Sequence, residues 1–555
     1  FRPLRLQNGW YVQRYAPMLR VAVPYGEISS DQLRVMGRIA REFDQPSKAV
    51  FDKAIGTQAT WGTTHLPVGY GHFTTRQNVQ FNWIPLTDSA VVMDLLATVN
   101  MHGIQTSGNC IRNITTDELA GVAADEIADP RPFAEILRQW STLHPEFAFL
   151  PRKFKIAITG ATDDRAAVRW HDVGLYLIKN EAGELGFRVL VGGGMGRTPV
   201  IGTEIRAFLP WNQIMNFLEA VVRVYNRWGR RDNIYKARIK ILVKAEGQRY
   251  IDEVEAEYQN ILTQDGAPHT ITQAELDRVT ACFLPPTLPP KLAEVSETKA
   301  ATVPSLIPPQ RQKDYDRWLQ QNVASHKNPK LRSVTLSFKR LGQAPGDADA
   351  DQLDTAAAFA DQFSAGEARV THDQNLLLPW VRVEDLPALW VAASHAGLAR
   401  SNIRLLTDMI ACPGGDFCAL ANARSIPIAA QITERYQDMD ELHDLGEIDL
   451  HISGCINSCG HHHSGHIGIL GVDKDGKEWY QVSLGGSDGS ALSGDAVAGK
   501  VVGPSFGALE VPGVIEALLD TFRLHRQGRE TFIDAFKRVG MEPFKAAANA
   551  ARLAD

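Results

Sequence analysis

The side chains most able to do chemistry are four cysteines in one short region: Cys412 and Cys418 in ACPGGDFCALA, and Cys455 and Cys459 in SGCINSCGH. They are arranged as C-x5-C, a gap of 36 residues, then C-x3-C. Zinc ribbons close each half-site with about two to four residues between ligands, so the five-residue spacing fits them poorly. An iron–sulfur cluster needs four thiolates converging on a cube, and glycine or proline beside a ligand lets the backbone turn tightly around it. Pro413, Gly414 and Gly415 flank the first pair, and Gly454 and Gly460 the second. The spacing favours a cluster, with zinc and buried free thiols as the other readings. His461, His462, His463 and His466 follow directly. They read as a polar turn held by hydrogen bonds, since four thiolates complete a cluster without them.

A second set is cationic. Arg20, Arg76, Arg112, Lys153 and Lys155 each lie on or beside a predicted strand. Lys153 and Lys155 are two apart, so on a strand they point to one face. A lone lysine there is more simply a solvated edge. Five cations recurring beside strands or cluster-like segments point instead to a pocket for a small polyanion. Cys110, two residues before Arg112, reads as a plain buried thiol. The run VGGGMGRTP fails the dinucleotide fingerprint G-x-G-x-x-G, whose last position falls on Arg197 when started at Gly192 and on Pro199 when started at Gly194. No phosphate-loop lysine pattern occurs either, so electrons must come from a separate protein.

These residues need a scaffold, and the chain is long enough for several domains: 555 residues, 44% apolar, 22% charged, with a formal net charge of −6. No run of about 18 uninterrupted apolar residues occurs, which argues against a membrane span. The acidic balance gives no support to nucleic-acid binding. Six cysteines in such a length do not make a disulfide framework. The first residue is Phe1, so a preceding segment is expected, and the expected location is cytoplasmic.

A proline-rich stretch from Phe283 to Gln310 divides the chain near its middle and reads as an extended linker. The halves on either side repeat. GHFTTRQNVQFNWIPL, from Gly71, lies against ARVTHDQNLLLPWVRV, from Ala368, so that Thr74 meets Thr371, Gln77 meets Gln374, Asn78 meets Asn375 and Trp83 meets Trp380. Farther on, Gly183–Gly193 matches Gly476–Gly486, and Cys110 follows the first block much as Cys412 follows the second. LRVAVPY and VTLSF have strand patterns, SSDQLRVMGRIAREF and DADQLDTAAAFADQF have helical spacing, and the Thr-Gln-Asn blocks read as strands. This is a duplicated α+β architecture. Asp44 to Tyr70 has no counterpart in the second half and reads as an inserted loop.

The cysteine pattern, TTRQNVQF, NCIRNIT, LPRKFK and LVGGG together resemble the sirohaem-containing sulfite and nitrite reductases, most nearly the assimilatory sulfite reductase haemoproteins (beta components). The resemblance covers essentially the whole chain. It implies paired ferredoxin-like half-domains, at 1–90 (insertion about 44–70) and 331–400, and two larger α/β cofactor-binding domains, at 91–282 and 401–555, with 283–330 as linker. It implies a 4Fe–4S cluster on Cys412, Cys418, Cys455 and Cys459, with Cys459 also ligating the sirohaem iron. Thr74, Arg76, Gln80 and Asn457 match positions lining the sirohaem cavity, where backbone amides of Gly192, Gly193 and Gly194 could help. His72 stands where relatives often have arginine. Arg20, Arg112, Lys153 and Lys155 match the residues that hold and protonate the substrate anion, and Lys155, asparagine in nitrite-specialised relatives, favours sulfite. The implied reaction is six-electron reduction of sulfite to sulfide, with nitrite to ammonia as the rival and a non-catalytic iron–sulfur protein more distant. Ferredoxin or an NADPH-dependent flavoprotein subunit would be the donor, with no nucleic acid and no membrane involved.

Overall fold

The computed structural model describes residues 2–15, 17–59, 66–288 and 306–552. The chain forms two small five-stranded sheets. The first runs Trp10–Val12, Pro17–Val21, Val79–Phe81, Tyr70–Phe73 and Asp347–Asp349, and the second runs Val323–Ser325, Leu331–Leu336, Leu376–Arg382, Glu367–Val370 and Glu27–Ser29. Each therefore ends on a strand from the other half of the chain, paired antiparallel. The exchanged strands lead straight into two helices, Ser30–Glu42 and Ala350–Phe363, that pack on each other. Both helices start with a capping box, Ser29 with Gln32 and Asp349 with Gln352, which satisfies two otherwise orphaned amides at each N-terminus. Leu33, Met36 and Ile39 of one and Leu353, Ala356 and Ala360 of the other share a single core, so the half-domains form one packed unit.

The Thr-Gln-Asn blocks are hairpins whose named residues form the turn, and the strands lie on either side of it. Thr74 N donates to Asn78 O, and Asn78 N donates back to Thr74 Oγ1. Thr371 and Asn375 repeat both bonds. Gln77 and Gln374 take left-handed backbone, φ 56° and 62°. Their Oε1 atoms accept from Thr116 N and Ala411 N, each clamping its hairpin to the larger sheet beside it.

Those larger sheets repeat one topology. Thr115–Thr116, Ile156–Thr159 and Val173–Lys179 run parallel, and Leu185–Val191 and Thr203–Pro210 continue antiparallel. In the second, Ile410–Ala411, Leu450–Ser453 and Ile467–Lys474 run parallel before Lys477–Leu484 turns back. This register makes Asp117 the counterpart of Cys412, which corrects the sequence match of Cys110 with Cys412.

Two further expectations change. The insertion carries a helix, Lys48–Ala59, while residues 60–65 lie outside the described residues. Asp44 at its start accepts from the amides of Tyr70, Asn82 and Trp83, anchoring both ends of the excursion. The expected linker folds in its second part: helix Gln312–Asn322 buries Trp318, and Val323–Ser325 edges the second small sheet. Residues 289–305 of that stretch lie outside the described residues.

Candidate functional site

The parallel pairing of Ile410–Ala411 with Leu450–Ser453 brings the ends of both strands together, and the two cysteine pairs follow directly. Cys418 closes the short helix Gly414–Phe417. Gly454 N donates to Cys412 Sγ at 3.2 Å, and Asn457 Nδ2 to Cys455 Sγ at 3.4 Å. The glycines are needed sterically: a Cβ on Gly454 would lie 2.5 Å from Ala423 O, and one on Gly460 only 1.9 Å from Ile452 O. All four thiols are free. Burial, reinforced by the neighbouring Cys459, pushes Cys412 up to about 12 and Cys418 up to about 11, so thiolates here require a cationic partner. Among the described residues no three cysteine sulfurs lie within 4.8 Å of one another. A single tetrahedral zinc would need them about 3.8 Å apart, whereas a four-iron cube holds them wider. The donor set fits the cluster.

The cations converge from the first half. Lys153 and Lys155 flank the buried Phe154, as their spacing requires, and Phe154 pairs with Ile111 beside Arg112. Arg112 is held in place by backbone carbonyls, Gly108 O at 2.7 Å and Thr106 O at 2.9 Å. Arg20 reaches Thr106 O at 3.3 Å and Gln80 Oε1 at 3.1 Å. Among the described residues neither lysine ammonium has a hydrogen-bond acceptor or a carboxylate. Burial brings Lys153 down to about 8, with Cys459 working against the shift and Arg238 and Arg112 adding to it. Lys155 is lowered well below its ordinary value by burial and by Lys153 and Arg76.

Other expected residues occupy different surroundings. The Arg76 guanidinium is buried on Thr115 Oγ1, Asn113 O and Ile156 O. Thr74 Oγ1 serves the hairpin turn. Asn457 sits on Cys455. His72 turns away to the other half, 2.7 Å from Asp347 Oδ1 and within 3.0 Å of Gln374 Nε2. Gly192, Gly194 and Gly196 have positive φ, and this run presses on two cations that sequence reasoning missed. A Cβ on Gly194 would lie 2.9 Å from Arg238 Nη2, and one on Gly196 would lie 3.6 Å from Lys240 Nζ and 3.8 Å from Ile456 O, between the cluster cysteines. The glycine run thus joins the cationic group to the cysteine turn. His463 Nε2 donates to Gly196 O at 2.9 Å, and His462 bonds to Ser458, so these histidines fasten the turn.

Tyr11 was also missed, although its strand pairs with the one carrying Arg20. Its hydroxyl lies 3.5 Å from Arg20 Nη1. Burial pushes the phenol up, but Arg20, Arg112, a bond to Ser107 and Lys153 outweigh it and bring it down to about 8. Cys110 Sγ donates to Ser107 O, and burial raises its thiol.

The chain is similar to known proteins along most of its length. The family described as nitrite and sulphite reductase 4Fe-4S domain matches residues 107–262 and 404–554, more than half of the chain. The nitrite/sulfite reductase ferredoxin-like half domain matches residues 335–394. Sulfite reductase (ferredoxin) 1 of Mycolicibacterium paratuberculosis is 25% identical over 484 residues, covering 85% of this chain and 74% of the relative. The chloroplastic ferredoxin–nitrite reductase of Arabidopsis thaliana is 25% identical over 524 residues, covering 92% and 77%. The solved structure of the NirA protein of Mycobacterium tuberculosis shares the fold, with a TM-score of 0.73 at 24% identity over 97% of this chain and 90% of that one.

Proposed function

The chain belongs to the nitrite and sulphite reductase family, and on that premise we propose that it is an assimilatory sulfite reductase, taking sulfite to sulfide with six electrons. The sirohaem and 4Fe–4S cluster of this family supply, when bound, the electrons and an iron to which the anion attaches. Cys412, Cys418, Cys455 and Cys459 would hold the cluster, and Cys459, the one exposed sulfur of the four, would be shared with the sirohaem. Thr74, Arg76, Gln80, Asn457 and the amides of Gly192 to Gly194 belong to the cofactor side of this reading, with Arg238 and Lys240 as added cations for its carboxylates.

The observation that carries the proposal is the pair of acceptor-free ammonium groups close enough to Cys459 to feel its charge. A half-buried cation without a partner is costly, and an arriving anion relieves that cost. The anion also favours the protonated form of both lysines, so each can give a proton to an oxygen leaving as water. Arg112 and Arg20, with forks fixed by carbonyls, hold the remaining oxygens and oppose the growing negative charge.

The relatives' names favour a second reading equally by identity, nitrite to ammonia at the same site. Turnover of both anions with reduced methyl viologen, on a sample whose visible spectrum confirms sirohaem, separates them. Higher kcat/KM for sulfite is expected, and Lys155→Asn should move the ratio toward nitrite by roughly tenfold. A strong wild-type preference for nitrite overturns the sulfite assignment. Ferredoxin is the proposed donor, on the names of the same relatives, and the cytoplasm the proposed location. Among the described residues no helix is long and apolar enough to cross a membrane.

A further inference from the structure

We propose that His144, Glu219 and His269 form a zinc site in the first larger domain. Their ligand atoms all lie within 4.8 Å of one another. Two imidazoles and one carboxylate are a zinc donor set, which leaves a fourth position for water. Glu219 is buried on the helix Ile214–Trp228, and its Oε1 lies 2.6 Å from Arg223 Nη2. Its Oε2 lies 2.7 Å from His269 Nε2 yet meets no donor in hydrogen-bonding geometry, leaving a buried carboxylate oxygen facing a ring nitrogen.

The rings are held in place before any ion arrives. His144 stacks on Phe147 with centroids 3.8 Å apart, and the Trp140 ring packs edgewise against both His144 and His269 at 5.8 and 6.1 Å. The backbone amide of His269 donates to Asn216 Oδ1, on the same helix as Glu219. Bringing atoms up to 4.8 Å apart onto one ion requires only side-chain adjustment, since zinc bonds are about 2.0–2.2 Å. His269 remains part-exposed, giving the ion a way in.

Local charge points the same way. Glu146, Glu219, Glu257 and Asp265 all converge on the single guanidinium of Arg223, and Arg227 shares only Glu257 among them. A divalent cation offsets the surplus of carboxylates. His144 also opens the segment that continues through Phe147 to Lys153 and Lys155, so zinc would staple that segment to the helix beneath it.

The test uses holoenzyme with its visible spectrum intact, treated with EDTA, then titrated with zinc chloride by calorimetry and counted by elemental analysis. One zinc per chain is expected, with a Kd below about 1 µM and a rise in Tm on binding. His269→Ala and His144→Gln should each weaken binding about a hundredfold. Both leave the Glu219–Arg223 pair untouched. Anomalous scattering at the zinc edge from crystals of the wild type should place a peak among the three side chains. No bound zinc, binding by both variants as tight as that of the wild type, or a peak elsewhere would each overturn the site.

Discussion

At the turn of the first hairpin stands Arg76, and at the same place in the second stands Asp373. Lys155 precedes Ile156, which pairs with Val173, whereas Asp449 precedes Leu450, which pairs in the same register with Ile467. Two residues earlier the pair is Lys153 and Glu447. The backbone hardly distinguishes them: Val173 N donates to Lys155 O and Ile467 N to Asp449 O, both at 3.1 Å. Lys155 N is received by Asp172 Oδ2 at 2.9 Å and Asp449 N by His466 Nδ1 at 3.2 Å. Duplication thus made two equivalent frames, and three positions carry opposite charge. In the second half the surplus is negative: Asp449, Asp488, Asp373 and Glu447 surround the one guanidinium of Arg404 and hold it in its charged form. In the first half Lys153 and Lys155 find no such partner. A frame with surplus negative charge repels an anion, and a frame with half-buried surplus positive charge is completed by one.

The strongest way to break this comparison is to write the second half's residues into the first. Lys153→Glu with Lys155→Asp should lower turnover of both sulfite and nitrite by about a thousandfold, with circular dichroism and cluster absorbance unchanged. Activity within tenfold of the parent would mean that the charge inversion does not separate the halves. The reciprocal change acts on stability instead. Arg404→Gln removes the positive charge that these four carboxylates surround and should cost about 1 kcal/mol in thermal or denaturant unfolding, while kcat/KM per loaded molecule stays within about twofold. Loss of activity without loss of stability would place Arg404 with the substrate and not with the second half's internal balance.

Which parts of this were legible in the sequence follows from what leaves a local signal. Helix Ser30–Glu42 was readable because its apolar residues recur at helical spacing behind a serine cap, and the tight turns around the cysteines because flanking glycines act over a few residues. The lysine pair was readable from the two-residue period of a strand. The hairpin turns were misread as strand because Gln77 and Gln374 adopt positive φ without the glycine that usually announces it. The exchange of Glu27–Ser29 and Asp347–Asp349 was hidden, since three-residue edge strands are too short for a pattern. The insertion helix lacks a strong apolar stripe, and so read as loop. Arg238 and Lys240 join the site from more than 80 residues beyond Lys155 through the packing of a glycine run. No local pattern could have placed them there.

Lys153 adds a pH axis to the comparison. Its ammonium, ordinarily at 10.5, is brought down to about 8 chiefly by burial, with Arg238, Arg112 and Arg152 adding to the shift against the pull of Cys459. Below that value it is a cation able to attract the anion and protonate it; above it, a neutral amine that does neither. With nitrite, which stays a monoanion throughout, kcat/KM should therefore fall as pH rises through about 8, approaching tenfold per pH unit. Lys153→Arg keeps its charge past pH 12, so this limb should move out of range. Glu447→Gln, at the matching place in the second half, should leave the limb where it is. If wild type and Lys153→Arg fall along the same limb, another group titrates there, and the contrast between the halves does not reach the proton supply through Lys153.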